Sequence, residues 1–207
     1  ITWDMTTDQR LALTLRSPFD MKFKGDLGTA NLPPPAVAAS DVETTFNFPT
    51  IVALGYGIKL TETVRIEAKV EWLQFSRYKT MDIDAGQNGP LIGGMGMAHT
   101  PQNWNDTWTF GFGPEWRFAH DWTLRAGYLY LPSPIPDSTF APSALDVDQS
   151  VVSVGLGYEH GPHAVDLAYA LGIFDKRRID SNQNPYYQHG TYEFQGHLLA
   201  LSYTYSF

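Results

Sequence analysis

The sequence predicts an all-β protein, an antiparallel transmembrane β-barrel, with about eight strands in this chain of 207 residues. Three observations lead to this prediction. Apolar and polar side chains alternate with a period of two over long segments, as in strands whose two faces meet different surroundings. The connections between these segments alternate between short and long. Aromatic residues concentrate near the segment ends, where a membrane-spanning strand meets the lipid headgroups.

The alternation is clearest in residues 105–118. The even positions are aromatic or proline: Trp108, Phe110, Phe112, Pro114, Trp116 and Phe118. The odd positions are small or charged: Thr107, Thr109, Gly111, Gly113, Glu115 and Arg117. A soluble β-sandwich, the alternative, would fill its apolar face with interdigitating side chains from a second sheet. A row of bulky rings instead favours contact with lipid.

The same pattern predicts eight strands, at residues 8–24, 42–58, 64–80, 105–118, 122–131, 147–159, 164–175 and 191–207. The short connections are 59–63, 119–121 and 160–163, and the long ones are 25–41, 81–104, 132–146 and 176–190. Outer-membrane barrels have short periplasmic turns and long extracellular loops. We therefore expect the short turns, and both ends of the chain, on the periplasmic side.

Eight aromatic residues are predicted to lie at the two membrane interfaces: Tyr56, Trp72, Trp108, Trp116, Trp122, Tyr158, Tyr205 and Phe207. Trp108 and Trp116 belong to one strand, and at ~3.4 Å per residue and a ~40° tilt they span roughly 20 Å. That distance is close to the height of the apolar band of such barrels, ~25 Å.

Composition excludes several other classes. Lys and Arg number 14 against 22 Asp and Glu, and the net charge of −8 argues against a nucleic-acid partner, which needs a basic surface. The chain has no cysteine, which excludes disulfides and thiolate metal sites. None of the six histidines has a Ser, acid or third ligand at a recognisable spacing. We therefore expect no cofactor, no metal and no enzymatic activity.

The final segment alternates up to a terminal aromatic residue, through Leu199, Leu201, Tyr203, Tyr205 and Phe207. An amphipathic last strand of this kind resembles the signal read by the bacterial outer-membrane insertion machinery, which is therefore an expected partner. The apolar face of the barrel is expected to contact outer-membrane lipid and lipopolysaccharide.

Several short motifs, taken in order, resemble the C-terminal half of the FadL/TodX family of outer-membrane transporters for long-chain fatty acids and hydrocarbons. They are Arg16-Ser17-Pro18, Lys22-Phe23-Lys24-Gly25-Asp26, Phe46-Asn47-Phe48-Pro49, Ala53-Leu54-Gly55-Tyr56, Val70-Glu71-Trp72-Leu73-Gln74-Phe75, Leu124-Arg125-Ala126-Gly127-Tyr128, Ser133-Pro134-Ile135-Pro136-Asp137, Asp146-Val147-Asp148-Gln149 and Val154-Gly155-Leu156-Gly157-Tyr158. The resemblance covers nearly the whole chain. Where the family often has Asp-Arg, this chain has Asp148-Gln149.

The resemblance implies a 14-stranded barrel plugged by an N-terminal hatch, of which this chain matches the last eight strands. The hatch and the first six strands have no counterpart here, and the sequence opens at Ile1 without a start Met or signal peptide. The chain is then either part of a larger barrel, which we favour, or an eight-stranded barrel that closes on itself. Unpaired strand edges are costly in lipid. They are therefore expected to close on each other or to meet a partner protein.

Two groups of residues are candidate functional sites. Six charged residues are predicted to form a polar network facing the lumen: Glu67, Lys69, Glu71, Glu115, Arg117 and Arg125. Charged groups withdrawn from bulk water tend to pair, and a role for Arg117 or Arg125 in gating or in binding a ligand carboxylate is the alternative. Four apolar residues of a long loop, Leu91, Ile92, Met95 and Met97, are predicted to bind a hydrophobic ligand. The alternative is a loop that folds over its own small core or over a neighbouring subunit.

The predicted function is passive uptake of hydrophobic compounds, either long-chain fatty acids or hydrocarbons, across the outer membrane. The resemblance implies capture of the ligand by outer loops, transfer to the lumen and lateral exit into the bilayer. The main alternative is a structural or interaction barrel without transport activity. An outer-membrane hydrolase is a third candidate, and it would require a Ser–His contact.

Overall fold

The computed structural model describes residues 1–28, 39–85, 97–141, 146–182 and 189–207. It is built from fifteen strands: β1 (Thr2–Asp4), β2 (Gln9–Arg16), β3 (Phe19–Gly28), β4 (Ala39–Phe48), β5 (Ile51–Lys59), β6 (Val64–Leu73), β7 (Thr80–Asp84), β8 (Met97–Pro101), β9 (Thr107–Ala119), β10 (Trp122–Leu131), β11 (Gln149–His160), β12 (His163–Phe174), β13 (Arg177–Ile179), β14 (Gly190–Tyr192) and β15 (Gln195–Tyr205). Two short 3-10 turns, Phe75–Arg77 and Asp137–Thr139, complete it. No helix in these ranges is long and apolar enough to cross a membrane.

Nine strands form one sheet, the wall, in the order β1-β2-β5-β6-β9-β10-β11-β12-β15. Every pairing in it is antiparallel. Wall strands that follow one another along the chain are therefore neighbours in space, which is an up-and-down arrangement. Within the described residues no pairing joins β1 to β15, so these two strands are the edges of the wall.

The tight turns of the wall lie at one end of it. The shortest are His120–Asp121 and Gly161–Pro162, and Gly161 has a positive φ of 57°, a conformation that glycine adopts without a steric penalty. The longer connections all emerge at the opposite end. The predicted alternation of short and long connections is thus present.

A second sheet of four strands, in the order β3-β4-β7-β8, projects beyond the long-loop end of the wall. We call it the outer sheet. It separates from the wall at Ser17–Pro18 and Pro49–Thr50, and these breaks face each other because Arg16 pairs with Ile51 and Phe19 with Phe48. Proline has no N–H to donate to a ladder and restricts the residue before it, so a sheet is interrupted at such positions.

The structure therefore divides three of the predicted strands. Segment 8–24 becomes β2 and β3, 42–58 becomes β4 and β5, and 64–80 ends in the 3-10 turn Phe75–Arg77 before β7 begins. The short edge strand Thr2–Asp4 was not predicted, and it raises the wall from eight strands to nine. Three residues are too few for periodicity to be visible in the sequence.

The convex face of the wall carries the apolar side chains, and they are exposed. Trp108, Phe110, Phe112 and Trp116 are 49–53% exposed rather than buried in a globular core. Neighbouring strands continue the same face, since Trp72 pairs with Trp108 and Val70 with Phe110. A face this apolar and this exposed is suited to lipid rather than to water.

The position of Phe112 halfway between Trp108 and Trp116 generates a prediction. Replacing Phe112 by Arg in the full-length protein should lower the free energy of unfolding by roughly 2–4 kcal/mol, because a charge would enter the middle of the apolar band. Denaturant unfolding in lipid bilayers measures this. The control is Thr14→Arg, since Thr14 lies on the opposite face of β2. Equal losses in the two variants would contradict the assignment of the faces.

Candidate functional site

A bridge of three charged side chains crosses the concave face of the wall, which is the lumenal face. Arg125 on β10 donates from Nε to Glu115 Oε2 at 2.8 Å and from Nη1 to Asp166 Oδ1 at 2.6 Å. Glu115 lies on the neighbouring strand β9, whereas Asp166 lies on β12, two strands away. One guanidinium therefore ties together β9, β10 and β12. We call this set the Arg125 bridge.

The Arg125 bridge passes over β11 at a glycine. Gly157 pairs with Asp166, and a Cβ at Gly157 would meet Asp166 Oδ1 at 2.7 Å and Arg125 Nη1 at 2.8 Å. Any larger residue would therefore occupy the space in which the two charged groups meet. At Gly155, one step away on the same face, the nearest atom to an added Cβ would be 3.6 Å distant, an ordinary contact.

Other ion pairs extend the polar region along β6 and towards the edge of the lumenal face. Arg65 pairs with Glu67, and Lys69 Nζ lies 3.8 Å from Glu71 Oε2. Nearer the edge, Arg10 Nε donates to Asp4 Oδ1 at 2.5 Å. All these groups are partly open to the lumen, so each pair alone contributes little stability.

Five of the six predicted lumenal residues thus take part in ion pairs: Glu67, Lys69, Glu71, Glu115 and Arg125. The sixth, Arg117, lies on the same face nearer the tight turns and makes no ion pair within the described part of the chain. Sequence reasoning did not include Asp166 or Arg65 in the network. Both occupy polar positions in the alternating pattern of the predicted strands. This position in the pattern could have placed them in the network.

The remainder of the lumenal face is lined by small side chains. On β11, β12 and β15 the positions that share the face of Asp166 include Gly155, Ala168, Ala170, Gly172, Gly196 and Ala200. Leu198 pairs with Ala170 and adds an apolar side chain to this surface. The described lumenal face is therefore charged on one side, at β6, β9 and β10, and small and apolar on the other.

The outer sheet has one aromatic face and one polar face. Phe19, Met21 and Phe23 of β3 share a face with Phe46 and Phe48 of β4. The Phe19 and Phe48 rings stack at 4.5 Å, and the side chains of Phe19, Met21, Phe23 and Phe48 are 36–46% exposed. The other face carries the ion pairs of Lys22 and Lys24 with Glu43.

The connections at the outer end of the wall share a small core. Ile135, Phe140 and Ile179 are 1–5% exposed, and Trp104 and Tyr192 pack against them. These residues belong to three different connections, so the connections form one unit, which we call the outer cap. Hydrogen bonds join them further, from Asn105 N to Pro134 O at 2.8 Å and from Asn182 Nδ2 to Phe140 O at 2.6 Å.

Asp146 lies partly buried in the outer cap. Burial raises the pKa of its carboxyl group, although the hydrogen bond from the Ser133 hydroxyl and the charge of Arg177 act in the opposite direction. The Ser133 Oγ–Asp146 Oδ2 distance is 3.3 Å. The outer cap therefore contains a carboxylate whose charged form is disfavoured by its surroundings.

The predicted interface aromatics occupy both ends of the wall. Trp116, Trp122, Tyr158 and Tyr205 lie near the tight turns, and the Trp122 and Tyr158 rings are 4.7 Å apart. Tyr56 and Phe207 lie at the same end, and Trp72 and Trp108 lie near the outer cap.

The loop predicted to bind ligand falls largely outside the described residues. Leu91, Ile92 and Met95 lie outside them, and Met97 is described only as the first residue of β8. In the described ranges, no group of three or more His, Asp or Glu side chains is arranged to hold a metal ion.

Gly157 generates a prediction about the Arg125 bridge. In a double-mutant cycle, R125M and D166N should couple by about 0.5–1 kcal/mol, the range for partly exposed ion pairs. In a G157A background the coupling should fall close to zero, because the added Cβ separates the two groups. The free energy of unfolding of the full-length protein is the measurement. A G155A background should keep the coupling; loss of it there would contradict the role of Gly157.

Asp146 generates a prediction about pH. A carboxyl whose pKa is raised by folding stabilises the protein fully below the unfolded pKa, about 4, and this stabilisation is lost as the pH rises through the folded pKa. Asp146→Asn should therefore flatten the decline in unfolding free energy above about pH 4. Denaturant unfolding at a series of pH values tests this. A decline as steep in the Asp146→Asn variant as in the wild type would contradict the effect of burial.

Comparison with known proteins supports the architecture. Residues 1–207 match the family model described as "Outer membrane protein transport protein (OMPP1/FadL/TodX)". A FadL homologue from Pseudomonas aeruginosa superposes with a TM-score of 0.82 at 20% identity, covering 99% of this chain and 50% of that one. The Pseudomonas putida toluene transporter TodX gives a TM-score of 0.63 at 20% identity, covering 100% and 48%.

Curated relatives agree with the structural neighbours. The long-chain fatty acid transport protein of Escherichia coli K12 is 24% identical over an alignment of 200 positions that covers 90% of this chain and 43% of that protein. A putative outer membrane protein of Neisseria meningitidis is 24% identical over an alignment of 228 positions that covers 99% of this chain and 49% of that protein. This chain thus spans about half the length of these relatives. It belongs to the OMPP1/FadL/TodX family of outer membrane transport proteins, its wall is part of a β-barrel, and it resides in the bacterial outer membrane.

Proposed function

We propose that the protein takes up hydrophobic compounds, either long-chain fatty acids or hydrocarbons, passively across the outer membrane. The observation that carries this proposal is the exposed aromatic face of the outer sheet. It lies beyond the level of Trp72 and Trp108, where the wall leaves the bilayer. A contiguous apolar patch outside the membrane marks a surface that binds an apolar partner.

The chemistry of this face suits capture of a flexible or aromatic hydrocarbon. Phe19, Met21 and Phe23 lie in a row along β3, whose backbone is fixed by the ladder with β4, so a ligand that covers them orders little backbone on binding. Removing apolar surface from water supplies the free energy, about 25 cal/mol per Å². The loop residues Leu91, Ile92, Met95 and Met97 are proposed as further contacts for the same ligand.

The small-residue side of the lumenal face supplies a route inward. Ala168, Ala170 and Gly172 project little into the lumen, and the nearby charges of Glu115, Arg125 and Asp166 are engaged in ion pairs. An apolar ligand that follows this side displaces few tightly hydrated charges. Movement from one apolar surface to the next then follows the concentration gradient, without an energy source.

The surroundings of the wall are part of the proposal. Its convex face is proposed to contact outer-membrane lipid and lipopolysaccharide, and its last strand, β15, to be read by the insertion machinery. The edge strands β1 and β15 have backbone groups that must be paired in a bilayer. We propose that they pair with further strands of the same protein or with a partner protein.

The alternative, a structural or interaction barrel, is favoured by one observation. Three strands of the described lumenal face, β6, β9 and β10, carry paired charges rather than an apolar lining. If the paired charges fill the lumen, the wall serves as a scaffold. Uptake measurements separate the two functions, because a scaffold would not accelerate entry of any solute.

The test uses the full-length protein in liposomes, with oleic acid and toluene as probes. The protein should accelerate entry of at least one of them. Phe23→Ser should raise the ligand concentration for half-maximal rate about tenfold, which corresponds to losing one buried aromatic contact. Lys22→Ser, on the polar face of the same strand, should behave as wild type. Entry of both probes at the rate of protein-free liposomes would overturn the proposal.

A further inference from the structure

A hydroxyl group interrupts the aromatic face of the outer sheet. On this face of β4 a polar residue, Thr44, lies in one row with Val42, Phe46 and Phe48. Thr44 pairs with Phe23 of β3 on one side and with Ile83 of β7 on the other. Residues paired across an antiparallel ladder point to the same face, so apolar side chains flank Thr44 on both neighbouring strands. The hydroxyl therefore lies within an apolar surface.

The Thr44 hydroxyl makes no hydrogen bond. Its Oγ1 is buried, and within the described residues it has no donor or acceptor as a partner. Arg77 Nε shares this condition, but its guanidinium still contacts Asp20 Oδ1 through Nη2 at 3.4 Å. Buried polar atoms are nearly always hydrogen-bonded, because an unpaired one has given up its bonds to water without replacement. Thr44 thus lowers the stability of the free protein, which a valine of the same shape would not do.

The aromatic ring opposite Thr44 is accessible from outside. Phe23 is 46% exposed, and its ring meets the Phe46 ring edge-on at 5.5 Å. Phe23 belongs to β3, which is an edge strand of the outer sheet. Phe46, in contrast, stacks at 5.7 Å on Tyr78, whose side chain is buried. A ligand lying on the aromatic face would therefore reach the hydroxyl by turning the Phe23 ring aside, while Phe46 stays in place.

We propose that Thr44 is a specificity-determining residue of the aromatic face, which forms a hydrogen bond with the bound ligand. The preferred ligand is then an apolar compound that carries an uncharged oxygen group, such as an alcohol, a phenol or a protonated fatty acid, rather than a plain hydrocarbon. This inference rests on the proposed function, because it concerns the same face of the outer sheet, and it narrows the class of compound that the face binds.

The surroundings of Thr44 determine which oxygen group fits. A carboxylate would lose its hydration against Phe23 and Ile83, and the charged Lys22 lies on the opposite face of the sheet. An uncharged hydroxyl group has less hydration to lose, and the threonine hydroxyl can either donate to it or accept from it. A plain hydrocarbon leaves the Thr44 hydroxyl unpaired. A site that contains a buried polar group discriminates against the analogue that lacks the matching group.

The experiment compares p-cresol with toluene, which lacks only the hydroxyl group. Ligand-detected NMR titrations measure both dissociation constants for the full-length protein in lipid nanodiscs, with empty nanodiscs as the blank. Thr44→Val should raise the dissociation constant of p-cresol about tenfold, the loss expected for one hydrogen bond, and should change that of toluene less than about twofold. Thr44→Ser keeps the hydroxyl and should retain the preference for p-cresol.

Thr45→Val is the matched control. Thr45 is the next residue of β4 and faces the polar side of the outer sheet, opposite Lys22. This variant should leave both dissociation constants unchanged. The free energy of unfolding separates a ligand contact from a structural role, because Thr44→Val removes an unpaired buried hydroxyl and should be at least as stable as the wild type. Weaker p-cresol binding without loss of stability is the expected combination.

Failure of this inference is distinct from failure of the uptake function. Unchanged p-cresol binding by Thr44→Val, or equal weakening for p-cresol and toluene, overturns the role of Thr44 whatever oleic acid does. Entry of oleic acid and toluene without acceleration overturns the uptake function alone, because binding in nanodiscs does not require transport. If Thr44→Val does not fold, Thr44→Ala replaces it, and it must weaken the binding of p-cresol more than that of toluene for the inference to stand.

Discussion

The constraint on which this structure depends is the pairing of backbone groups inside a bilayer. Hydrocarbon offers no hydrogen-bond partner, so each N–H and C=O of a membrane-spanning strand must find one in the protein. Antiparallel pairing meets this requirement throughout the wall, except at the outer edges of β1 and β15. Once the ladders are fixed, side chains alternate strictly between lipid and lumen. The aromatic outer surface and the charged inner surface are both consequences of that alternation.

Glycine also shapes the lumenal face, because it leaves space in which side chains of neighbouring strands can meet. A guanidinium that reaches across a whole strand needs clear space above it, and Gly157 supplies that space between Arg125 and Asp166. Glycine in a strand interior normally weakens it. Here the glycine leaves room for a bridge that joins three strands. The inner wall is therefore shaped as much by its glycines as by its charges.

The sequence predicted the wall far better than what lies outside it. Which residues share a face of a strand follows from periodicity, so the sequence already separated Trp108, Phe110 and Phe112 on one face from Glu115 and Arg125 on the other. The outer cap obeys no such period. Its contacts, such as those of Arg177, join residues about 40 positions apart along the chain, and no local pattern encodes such a contact. Pro18 and Pro49 are sequence signals for the division of the two long strands. Apolar and polar residues nevertheless alternate through both positions, so the pattern predicted two continuous strands.

Those two prolines have a consequence for how such proteins can change. Because they interrupt the ladder at facing positions, the hairpin of β3 and β4 is joined to the wall without sharing its hydrogen-bond register. Its aromatic content can diverge while membrane insertion, which depends on the wall, is left untouched. Under the proposed function, the ligand-binding hairpin and the membrane-spanning wall are separate parts of one chain, and exchanging the hairpin between relatives would change ligand preference while leaving the wall intact.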